Sequence, residues 1–96
     1  MSEEEALARL RMLPDVEEAP SQFHGEPAFW IDGREFAHLH RARAEIELRL
    51  TRRLIRGLDD RRVARRSPSS DWVSVPLAEV ELVSQLAYAA LEANRR

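Results

Sequence analysis

The sequence has no cysteine and no lysine, and only three glycines in 96 residues. Without cysteine, a disulfide scaffold, a thiolate zinc site and a cysteine nucleophile are excluded. No glycine-rich phosphate loop, nucleophile elbow or dinucleotide fingerprint occurs, so the chemistry those motifs carry has no anchor here. The longest apolar runs are a few residues, far short of a membrane span. The first residues, Met-Ser-Glu-Glu-Glu, are acidic where a signal peptide is basic and then apolar. The expected location is therefore the cytoplasm, with no membrane partner.

What is present fits one globular domain spanning residues 1–96. Hydrophobic residues make up 44% of the chain, too many for a disordered one. All fifteen basic residues are arginine. Arginine offers planar, bidentate donors, although GC-rich codon usage is the plainer explanation. Acids dominate from Glu3 to Asp32 and arginines from Arg34 to Arg66, so the formal net charge of −2 conceals a dipolar layout.

Ser2-Glu3-Glu4-Glu5 reads as a capping box opening a helix within residues 1–14. Ala6, Leu7, Leu10 and Leu13 form its apolar stripe, and Pro14 stops it. Val16 to Phe23 is a poor strand with Pro20 inside it, which places it at a sheet edge. His24-Gly25-Glu26-Pro27 is a turn. Ala28 to Ile31 and Arg34 to His40 are strands joined by the hairpin signal Asp32-Gly33. After a turn near Arg41–Arg43, Ala44 to Leu50 alternates: Ile46, Leu48 and Leu50 on one face, Glu45, Glu47 and Arg49 on the other. Thr51 caps a short helix through Arg56, with Gly57 at its end. Asp59 to Ser70 reads as a surface loop. Asp71 to Val75 is a last strand. Pro76 opens a long helix, Leu77 to Ala93, with Val80, Val83, Ala87, Ala90 and Leu91 on its buried side. The expected fold is α+β: a two-layer sandwich whose mostly antiparallel sheet of about five strands carries an N-terminal helix, a short middle helix and a long C-terminal helix on one face.

The most distinctive stretch is Arg34-Glu35-Phe36-Ala37-His38-Leu39-His40. Regular alternation puts Arg34, Phe36, His38 and His40 on the open face, and Glu35, Ala37 and Leu39 towards the helices. Three readings fit the two histidines. They are ordinary polar residues on a wet sheet face, or an acid/base pair working near neutral pH, or metal ligands. A metal needs a third donor, and no spacing argues for either candidate, His24 or Glu47; no metal is assigned. Glu35, if buried, needs a partner, with Arg53 one candidate. Trp72 is core or pocket wall. The arginines from Arg41 to Arg66 suggest a nucleic-acid surface, but a pI near 5.9 and the lack of interleaved aromatics speak against it.

The Arg-Glu-x-x-His-x-His run, the alternating strand after it, Gly57, the tryptophan strand Asp71 to Val75 and the closing helix together resemble the luciferase-like domain family. The resemblance covers residues 16–93. In many relatives a further histidine follows the glycine matching Gly57; here Arg61 and Arg62 occupy that region. The fungal luciferases of this family oxidise a hispidin-derived luciferin with molecular oxygen and no metal or flavin, so the resemblance implies no cofactor. It implies acid/base roles for His38 and His40, with Arg34 holding an anion and Glu35 beside them. Phe36, Glu47 and Trp72 are the expected ligand contacts, for a small phenolic or anionic molecule. The alternative is a non-enzymatic module that forms a homodimer through the open sheet face, with Phe36 and Trp30 in the interface.

Overall fold

The computed structural model describes residues 2–23 and 25–96. The order is α1 (Ser2–Arg11), β1 (Glu17–Pro20), β2 (Pro27–Ile31), β3 (Arg34–His40), a 3-10 turn (Arg41–Arg43), β4 (Glu45–Arg49), α2 (Arg52–Arg56), β5 (Ala64–Arg65), β6 (Trp72–Pro76) and α3 (Val80–Asn94). The strands form one antiparallel sheet in the order β1-β2-β3-β4-β6-β5. This is the expected α+β architecture, with a sixth strand. The extra one, β5, is a two-residue pairing of Ala64 and Arg65 with Ser74 and Val73. A pairing that short leaves no periodic trace in an arginine-rich stretch.

The edge position of β1 follows from Pro20, which has no amide to donate to a second neighbour. Asp32 and Gly33 both take positive φ, 52° and 79°, as a tight turn matched to the strand twist requires. Helix α1 ends at Arg11, ahead of Pro14. Its Ser2 side chain and the turn residue His24 lie outside the described residues. Thr51 makes no side-chain cap: its φ is 79°, and its amide, like that of Leu50, donates to the Asp71 carbonyl. The closing helix starts at Val80 rather than Leu77. Pro76 still pairs with Glu45 in the sheet, and the Leu77 amide donates to the Ala44 carbonyl. The strand therefore runs through the proline and ends there.

The core lies between the sheet and the helices. Phe29, Ile31, Leu39, Ile46, Leu48, Leu50, Val73 and Val75 of the sheet meet Leu7 and Leu10 of α1 and Val83, Ala87, Ala90 and Leu91 of α3. Each fully buried large side chain contributes roughly 1.5–3 kcal/mol of transfer free energy.

One irregularity decides how the open face is built. Ala28 and Phe29 pair with His38 and Ala37, but Trp30 and Ile31 pair with Glu35 and Arg34. Phe36 has no partner in β2, so β3 carries an extra residue there, a β-bulge. The bulge resets the alternation. Phe36 joins Ala37 and Leu39 in the core with no exposed surface, and Glu35 turns to the face of His38. The regular-strand expectation placed these two residues the other way round.

Candidate functional site

At the centre of the open face, His38 sits between two carboxylates. Its Nδ1 is 2.7 Å from Glu35 Oε2 and its Nε2 is 2.6 Å from Glu47 Oε1. Strand geometry sets both contacts. Glu47 is His38's direct neighbour across the β3–β4 ladder, and the bulge brings Glu35 round to the same side. All three side chains are at most 3% exposed.

Each carboxylate has further donors. Glu35 accepts from the Ser21 hydroxyl at 2.8 Å and from the Gln22 amide at 2.8 Å. Glu47 accepts from Arg66 at 2.9 and 3.1 Å and from the Ser74 hydroxyl at 3.4 Å. These bonds answer the need of a buried carboxylate for partners. The partner of Glu35 is His38 with the Ser21 loop, and Arg53 takes no part.

The Glu47 carboxyl is held down from its usual 4.5 to about 2. The main cause is its hydrogen bond with His38, aided by the charges of His38 and Arg66 and opposed by burial. Glu47 is thus an ionised acceptor. One ring bridges two carboxylates, with a nitrogen directed at each. The His38 ring and the Arg66 guanidinium are the partners that make the burial of the Glu47 carboxylate tolerable.

Aromatic rings roof the row. The His38 ring centroid lies 4.9 Å from Trp72 and 5.6 Å from Phe23, and Phe23 meets Trp72 edge-on at 5.7 Å. The roof parts two hollows that share Phe23 and Trp72 as walls. One, of about 220 Å³, is lined also by His38, His40, Glu47 and Arg66. The other, of about 400 Å³, is lined also by Trp30, Arg34, Glu35 and Arg49.

The structure thus brings His38, His40, Glu47 and Trp72 together, with Glu35 behind them. Arg34 stands in the other hollow. Phe36 is remote from both, in the core, and that removes it from any ligand contact and from a sheet-face dimer interface. His40 is half-buried and lines the smaller hollow. Because both His38 nitrogens face carboxylates, neither lone pair is offered to a metal. Among the described residues no group of three His, Asp or Glu side chains is arranged to hold one.

Sequence reasoning misses Ser21, Phe23 and Arg66. Ser21 and Phe23 follow an edge strand too irregular for pattern arguments. Arg66 is one of several arginines in a loop, 19 residues from its partner Glu47.

A family model described as the Luciferase domain matches residues 33–90, more than half of the chain. That span takes in the His38 strand, Glu47, Arg66, Trp72 and most of α3. No curated protein and no solved structure matches the chain. The buried histidine row and the strands that present it lie inside the matched segment, and the chain belongs to the luciferase-domain family.

Proposed function

We propose that this domain binds a small phenolic or anionic ligand in the hollow over His38 and exchanges a proton with it. The observation that carries the reading is the Glu35–His38–Glu47 row, which reaches a partly open hollow through Glu47, Arg66 and His40. The walls suit a flat ring, with Trp72 and Phe23 offering their faces and edges. Arg66 supplies positive charge for a developing phenolate or enolate. Glu47, held ionised, accepts a hydrogen bond from the ligand hydroxyl and aligns it. His40 lines the same hollow and is the imidazole best placed to exchange a proton with the ligand. His38 keeps Glu47 in place and charged. The family supports a finer reading, in which the ligand anion reacts with molecular oxygen without a cofactor.

Ligand-observed NMR with a fragment set rich in phenols and pyrones tests this. Wild type is compared with Glu47→Gln, Arg66→Gln and His40→Ala, each checked for folding by circular dichroism. Hits lost in the folded variants support the site, and an oxygen-consumption assay on those hits then asks for turnover. Hits that survive all three substitutions contradict it. The homodimer reading loses one of its two expected anchors, since Phe36 faces the core.

A further inference from the structure

We infer a second binding site on the same face, the hollow walled by Phe23, Trp30 and Trp72, which takes an aromatic carboxylate. It does not depend on the proton-exchange reading of the neighbouring hollow.

Its charges decide the ligand's sign. Glu35 borders the hollow, but Ser21, Gln22 and His38 already engage its oxygens. Arg49 lies 3.4 Å from Asp71 and also donates to Asn94, so its charge is largely met and its side chain held. Arg34 also lines the hollow. It is exposed and makes no ion pair among the described residues. An uncompensated guanidinium at the border of a hollow calls for a single negative charge, and a carboxylate matches its fork in bidentate fashion.

Its polar inventory adds a second pointer. The Trp30 indole Nε1 is buried and has no acceptor among the described residues. A buried donor left unmet is costly, and a ligand oxygen that reached it would recover part of that cost. Its walls set the rest of the class. Three aromatic side chains around one hollow favour a planar ring. At about 400 Å³ the space holds a single substituted ring. Phe23 is the outermost of these walls, with 59% of its surface exposed.

The test follows the orphan donor itself. In ¹H–¹⁵N spectra of ¹⁵N-labelled protein, the two indole N–H signals are assigned with Trp72→Phe. Benzoate and 4-hydroxybenzoate are titrated at constant ionic strength, with acetate and phenol as the carboxylate-only and ring-only controls. The expected result is a saturable shift of the Trp30 indole signal with both aromatic carboxylates. It should weaken at least tenfold in Arg34→Gln and persist in Glu47→Gln. Acetate and phenol should each bind at least tenfold more weakly. No saturable shift, or one that Arg34→Gln leaves intact, overturns the proposal. A shift lost in Glu47→Gln but kept in Arg34→Gln would assign the binding to the other hollow instead.

Discussion

Glu47 shows how one residue ties stability to the site. Its folded-state value of about 2 lies below the usual 4.5. The ionised form therefore stabilises the fold fully above the usual value, and that stability is lost as pH falls from about 4.5 towards 2. Acid denaturation followed by circular dichroism should show a steep loss in this window. Glu47→Gln should flatten the slope and destabilise the fold near neutrality by about 1–3 kcal/mol, because it removes the buried carboxylate that faces His38 and accepts from Arg66. A variant as stable as wild type at pH 7 would show that the row carries no net energy. Ser21 acts differently. Its hydroxyl donates to Glu35 and accepts from the Phe23 amide at 3.1 Å, fastening the Phe23 loop to the row. Ser21→Ala should cost on the order of 1–2 kcal/mol and speed hydrogen exchange at the Phe23 amide more than at core amides. Equal exchange at Phe23 in both proteins would separate the loop from the row.

Among the elements, β3 carries the most information, and its bulge is where sequence and structure part. The alternation of β4 was readable because Ile46, Leu48 and Leu50 against Glu45, Glu47 and Arg49 leaves one solution. The hairpin was readable because Asp32-Gly33 is among the few pairs that accept two positive φ values. β3 was readable as a strand, but nothing in Arg-Glu-Phe-Ala-His announces an extra residue. With regular alternation Glu35 points at the helices and needs an invented partner. With the bulge it meets His38, and a hydrophobic side chain, Phe36, fills the core position instead. The exchange is energetically sensible, since it buries a phenyl ring and pairs a carboxylate. Phe36→Ala should cost about 3–5 kcal/mol in urea denaturation. Deleting Phe36, which restores regular pairing, should abolish the His38–Glu35 contact, visible as a changed His38 ring spectrum. A deletion variant with wild-type stability and spectrum would contradict the bulge.

For the whole molecule, the two faces of the sheet divide the work. The helix side holds the continuous apolar core, legible from periodicity in β4, β6 and α3. The open side holds a hydrogen-bonded row under aromatic cover, assembled from β3, β4, β6 and two loops. Its members are far apart in sequence, so composition and local spacing point only to the strand pieces. The loop pieces, Ser21, Phe23 and Arg66, come from segments that local rules describe merely as turns. Among the described residues no helix is long and apolar enough to cross a membrane. A larger hollow of about 600 Å³ lies on the other side, between α2 and α3, lined by Thr51, Arg53, Leu54, Tyr88 and Glu92 among others. It has more apolar lining but no grouping of acid, base and cation like that around His38. Size and chemistry thus favour different places for a small ligand.

Backbone amide shift mapping decides between them most directly. Labelled protein is titrated with a phenol-bearing fragment that ligand-observed NMR has identified as a binder. The expected result is saturable shifts at Phe23, His40, Glu47, Arg66 and Trp72, with Thr51, Leu54 and Tyr88 unmoved. Shifts confined to Thr51, Leu54 and Tyr88 would contradict it, placing the ligand between the helices and leaving the histidine row a structural feature of the sheet.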